Sequence, residues 1–162
     1  MAIKQIKRVY VDTSVVNAPF DTNEHAPQTR PFWNAVMNGE IHIIVSDILE
    51  GELEKAPAPV RDFFFQLKKS DVEFVTSSEQ SNELAAQYIA EGIVTEKWLD
   101  DCKHIALATI CRADYLVSWN FKHFVNVNKI RCYNGVNLKL GYQTIDIRTP
   151  YEVINGTDET ED

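Results

Sequence analysis

The apolar positions of the chain keep two different periods. Short runs such as RVYVD (8–12), IHIIVS (41–46), VEFV (72–75), YLVS (115–118) and QTIDI (143–147) are dense in branched and aromatic residues and read as strands. Between them lie amphipathic stretches with helical spacing. PFWNAVMNG (31–39) ends on Gly39 in a C-terminal position, and in DILEGELEKA (47–56) Asp47 and Glu50 have capping-box spacing. PAPVRDFFFQLKKS (57–70) starts on a proline, and a helix capped by Ser77 or Ser78 runs to Gly92. Thr95 opens a further helix that reaches about Arg112, and NKIRCYNGVNLKLG (128–141) is the last. Residues 18–30 are polar and broken by prolines, and read as a loop. Strands separated by helices pair in parallel through right-handed crossovers, so the expected fold is a three-layer α/β domain over residues 1–154, followed by an acidic, flexible tail at 155–162.

Composition changes this picture little. With 162 residues, 44% hydrophobic and 25% charged, the chain suits one globular domain. No apolar run approaches a membrane span, and the N-terminus lacks the apolar core of a secretory signal, so a cytoplasmic location with no membrane partner is expected. Cys102, Cys111 and Cys132 lack zinc spacing and fit idle thiols in a reducing compartment. The net charge of −8 argues against a nucleic-acid partner only on average. Residues 115–150 carry Lys122, Lys129, Arg131, Lys139 and Arg148 against Asp146 alone. A locally basic surface there can guide a polyanion.

In an open parallel sheet, ligands sit beyond the carboxyl ends of the strands. That rule selects Asp12, Ser46 and Ser118 to Asn120. Asp12, followed by Thr13 and Ser14, is equally the pattern of a helix cap, and Glu52 competes with Glu50 and Glu54 as one acid of a helix face. Asp101 is different. It shares i, i+4, i+7 spacing with Ile105 and Ala108, which puts a carboxylate on a core-facing stripe and leaves Asp100 as the exposed member of the pair. Two carboxylates about 4 Å apart repel by roughly 4 kcal/mol at an effective dielectric near 20. A divalent cation resolves that repulsion, and an oxygen-only donor set favours Mg²⁺ or Mn²⁺ over zinc. Such ions assist phosphodiester hydrolysis. His104 and His123 read as structural, Trp33 and Trp119 as core, and Lys122 as a phosphate contact.

YVDTSVVN (10–17), SDILEGELEKAP (46–57) and DCKHIALATICRADYLVSWNFKHFVN (101–126), closed by IDIRTPYEVI (145–154), together resemble the PIN domain, best known as the nuclease subunit of VapC-type toxins. The resemblance implies a five-stranded parallel sheet between helices and Mg²⁺- or Mn²⁺-dependent RNA cleavage. It places the catalytic acids at Asp12, Glu52 and Asp101, with Asp12 and Asp101 on the metal and Ser14, Ser118 and Lys122 in support. It also implies RNA as substrate, a small antitoxin and a homodimer. The chain departs from the pattern at Asn120, where many members carry an aspartate; the amide keeps a carbonyl for a water or a weak coordination position and loses a charge. A PIN-fold module that binds RNA or protein without cleaving is the alternative. A phosphatase of the haloacid dehalogenase class is disfavoured, because it needs an aspartate where Ser14 stands. The 18–30 loop is the expected variable recognition element.

Overall fold

The computed structural model describes residues 6–68 and 72–156. Its centre is a five-stranded sheet in the order β3-β2-β1-β4-β5, in which β1 is Lys7–Val11, β2 Ile41–Ser46, β3 Glu73–Val75, β4 Tyr115–Val117 and β5 Ile147–Arg148. Every neighbouring pair is parallel, with Tyr10 opposite Ile44 on one side and Leu116 on the other. Both faces of the sheet are buried. Val9 and Val11 join Ile43, Val45 and Val117 on one face, while Tyr10, Ile44, Leu116 and Ile147 point to the other. This is the strand alternation that a sheet covered on both sides requires.

Helices α1 (Thr13–Asn17), α2 (His25–Met37), α3 (Asp47–Leu53) and α4 (Ala58–Lys68) supply Val15, Val16, Phe32, Leu49, Val60 and Phe64 to the first layer. Helices α5 (Glu79–Ala90), α6 (Leu99–Ile110) and α7 (Val127–Lys139) supply Leu84, Tyr88, Ile105 and Tyr133 to the second. The result is the expected α/β/α sandwich. Chain order runs outward from β1 to β3 on one side and from β4 to β5 on the other. The switch point therefore falls between β1 and β4, where open parallel sheets place their ligand sites, at the carboxyl ends of the strands.

Four local expectations are corrected. Residues 18–30 are not a loop: Ala18–Phe20 form a 3₁₀ turn and α2 already begins at His25. Pro27 lies in the first turn, where its missing N–H has no intrahelical partner in any case, and Pro31 is carried inside the helix because Phe32 and Trp33 are buried next to it. The last strand is Ile147–Arg148 rather than 143–147. Ahead of it, the backbone of Ile145 is satisfied by the Asn134 side chain, which accepts from its N–H at 2.8 Å and donates to its carbonyl at 2.9 Å. The cap of α3 is Ser46, whose Oγ accepts from Leu49 N–H at 3.2 Å; Asp47 instead accepts from the Ser77 backbone and hydroxyl. Finally, Asn155 and Gly156, assigned to the tail, fall in a π-helical turn at Glu152–Gly156, and the rest of the expected tail lies outside the described residues.

Candidate active site

Asp12 follows β1 directly and caps α1, accepting from Val15 N–H at 3.3 Å. Its sequence context allows a cap or a site acid, and the geometry permits both. Each carboxylate oxygen also takes a hydroxyl: Ser14 Oγ donates to Oδ1 at 2.6 Å and Ser118 Oγ to Oδ2 at 2.7 Å. The serines are fixed in turn, Ser14 Oγ by Trp119 N–H and Ser118 Oγ by Asn120 N–H, both at 2.9 Å. The end of β4 is thereby stitched to the end of β1 around one buried aspartate. Burial pushes the Asp12 carboxyl above its ordinary range, against the opposing pull of nearby His104 and of the Ser14 and Ser118 hydrogen bonds.

Glu52 arrives on α3 and accepts from Thr13 Oγ1 and from His104 Nε2, the latter at 2.8 Å. His104 sits on α6 with its other nitrogen, Nδ1, 2.6 Å from the Tyr10 hydroxyl, which reaches Ser46 Oγ at 2.8 Å. Burial alone would depress the His104 pKa. Its hydrogen bond to Glu52 and the charges of Glu52, Asp12 and Asp101 outweigh that and raise it. Glu52 answers in the opposite sense: burial would raise its carboxyl, but the His104 and Thr13 contacts hold it below its ordinary value. Of the three acids only Glu52 hydrogen-bonds His104, while Asp12 and Asp101 lie near enough for their charges to act on it.

Asp101 is three residues before His104 on α6 and only 18% exposed at its side chain, whereas Asp100 is 65% exposed, in keeping with the stripe argument. Its Oδ2 accepts from His123 Nδ1 at 2.8 Å. Burial raises its carboxyl pKa despite the histidine. His123 follows β4 in a turn held by Asn120, whose Oδ1 accepts from Lys122 N–H at 3.0 Å and His123 N–H at 2.9 Å. The Asn120 carbonyl is therefore occupied by backbone, and the other end of its side chain is an amide, which only donates. Lys122 is exposed, with its ammonium 5.8 Å from the Trp98 ring. Trp33 and Trp119 are core residues, as expected, and Asp114 lies at the far end of the sheet, accepting from Arg8 N–H.

The two histidines are the residues whose part in the site the sequence understated. Each is almost fully buried, which a structural reading anticipates, yet each spends a ring nitrogen on a site acid. The i, i+3 spacing of Asp101 and His104 was the available signal, since it puts both on one helix face.

As a donor set, Asp12, Glu52 and Asp101 suit a hard divalent cation in kind, being all oxygen. Glu52 Oε2 and Asp101 Oδ1 make no hydrogen bond among the described residues. In their present positions, however, no group of three His, Cys, Asp or Glu side chains among the described residues stands close enough to hold one ion. Here Glu52 and Asp101 are each hydrogen-bonded by an imidazole.

The described residues form a parallel α/β/α sandwich with Asp12 at its β1–β4 switch point. No protein-family model matches the chain, and no curated protein does. Solved structures do. VapC20 of Mycobacterium tuberculosis, a sarcin-ricin loop cleaving toxin, superposes with a TM-score of 0.57 at 13% identity, covering 70% of this chain and 91% of its own. VapBC2 of Rickettsia felis, solved bound to a DNA fragment from its promoter, gives 0.52 at 17% identity, covering 71% and 89%. The chain has a PIN-domain, VapC-like fold.

Proposed function

We propose that this protein is an endoribonuclease of the VapC toxin type, hydrolysing RNA phosphodiester bonds with Mg²⁺ or Mn²⁺. The observation that carries the reading is the placement of Asp12 at the switch point of a PIN-like sheet, with Glu52 hydrogen-bonded to His104 of the helix that also carries Asp101. Asp12, Glu52 and Asp101 would hold the ion, Asp12 and Asp101 foremost. When bound it would supply a water of lowered pKa and a positive charge for the leaving oxygen. The chain's own residues do the positioning. Ser14 and Ser118 lock both oxygens of Asp12, His104 fixes one oxygen of Glu52, and His123 fixes one of Asp101. Lys122 is placed to meet a substrate phosphate.

A second reading has one specific observation in its favour. Asn120 replaces a carboxylate and spends its carbonyl on a turn, which suits a PIN-fold module that binds RNA or a protein and cleaves weakly or not at all. Purified protein incubated with mixed structured and single-stranded RNA, with Mg²⁺ or Mn²⁺, beside chelator and Asp101→Asn controls, separates the two. Ion-dependent cleavage lost in Asp101→Asn supports the nuclease; folded protein that binds RNA but leaves it intact under every ion supports the module. A small antitoxin is part of the toxin reading, in line with the VapBC2 likeness, and a homodimer goes with that reading. Co-purification of a gene neighbour and sedimentation of the purified chain test them. A cytoplasmic location goes with the same reading. Among the described residues no helix is long and apolar enough to cross a membrane.

A further inference from the structure

After β4, Phe121 lies against Trp119 and His25, whereas Lys122 and His123 lie against Trp98. The Trp98 ring lies 4.4 Å from the ring of His123, the partner of Asp101. Lys97 and Lys122 both bring their ammonium groups to that indole, at 5.1 and 5.8 Å from its centroid. Both lysines are exposed, and neither makes an ion pair among the described residues, although the chain holds 24 acids against 16 lysines and arginines. The neighbouring acid Asp100 pairs with Lys103 instead. Two unpaired cations resting on one aromatic ring beside the site are available to an incoming anion at little desolvation cost.

Phe121 is 51% exposed, yet it stands on a rigid base. It tilts against Trp119 and His25 at 6.2 Å from each, and those two rings are stacked 4.2 Å apart at 7°. Trp119 is pinned by its indole N–H to Thr29 Oγ1 at 2.7 Å. An exposed phenyl ring backed by a fixed stack gains little from the core, and it offers a flat apolar face where a base can lie.

We propose that a single strand of RNA crosses this turn, with one backbone phosphate held by Lys97 and Lys122 over Trp98 and a neighbouring base stacked on Phe121. The strand is single because a base must leave its duplex stack to lie on the ring. The proposal rests on the nucleic-acid reading above and deepens it, but it concerns binding and is separable from cleavage.

The test is fluorescence anisotropy of a short labelled single-stranded RNA in chelator, with the salt dependence measured for each variant. Lys97→Ala/Lys122→Ala should weaken binding and make the salt slope shallower by about 0.7 for each phosphate that is no longer neutralised. Phe121→Ala should weaken binding about tenfold with an unchanged slope, and an oligonucleotide lacking bases should not feel that substitution. Lys7→Ala, at the amino end of β1 and so at the opposite edge of the sheet from the site, should leave both quantities alone. Binding that follows this pattern without any cleavage when Mg²⁺ or Mn²⁺ is restored would uphold the proposal while removing the nuclease reading. Unchanged affinity and slope in the double lysine variant, or no binding by the native chain, would overturn it.

Discussion

Replacing Glu52 by glutamine tests whether His104 is an internal cation. In the native site the imidazole gives one N–H to a carboxylate at 2.8 Å and lies in the field of Asp12 and Asp101. Glutamine keeps an acceptor of the same shape and removes the charge. What is lost is the difference between a charge-assisted and a neutral hydrogen bond, about 1–2 kcal/mol. Because His104 has its folded-state pKa raised above the ordinary 6.5, its contribution is fully present below 6.5 and disappears as pH rises through the raised value. Glu52 has its pKa lowered, so its share is present above its ordinary 4.5 and is lost only as pH falls through the folded value. Guanidinium unfolding of both proteins from pH 6 to pH 9 should therefore show Glu52→Gln less stable by about 1–2 kcal/mol at pH 6, with the gap closing toward pH 9 at equal m-values. A gap of constant size across that range would show that the pair is not ionised and that imidazole does not neutralise the acids.

Asn120→Asp should keep the turn, since one carboxylate oxygen can accept from Lys122 and His123 N–H as the amide does, and should increase the thermal stabilisation given by Mn²⁺; an unaltered response to Mn²⁺ would mean that residue 120 has no part in holding an ion. Asn120→Ala should cost about 1 kcal/mol in denaturant unfolding through loss of that cap alone. Phe64→Ala, at a side chain 3% exposed in the α4 layer, should cost about 3–5 kcal/mol, and a smaller loss would show that α4 is loosely docked.

The architecture was legible because strand and helix periods alternate cleanly, and the parallel order then forces a switch point between β1 and β4. Asp101 was legible for the same reason, as an acid on an apolar stripe. Helix α2 was misread because Pro27 and Pro31 are strong local signals, while the burial that overrides them, Phe32 and Trp33 against the sheet, is a tertiary fact. The strand at 143–147 was overdrawn because a side chain far along the chain, Asn134, satisfies the Ile145 backbone as well as a strand neighbour would.

The histidines show where composition alone stops informing. From sequence, a carboxylate set without histidines at metal spacing reads as an all-oxygen cation site, and that reading concerns ligands only. It says nothing of how the same acids are kept ionised when no cation is bound. Burial raises the carboxyl pKa of Asp12 and Asp101. The nearby His104 works against that rise at both acids, and His123, also buried, orients Asp101 by a hydrogen bond to one of its oxygens. Asn120 fits this arrangement: with His123 already hydrogen-bonded to Asp101 and the turn needing only an acceptor, a fourth carboxylate is not required to hold the fold together. Its absence bears on ion affinity and rate, which is why the aspartate variant separates the chemistry of the site from its stability.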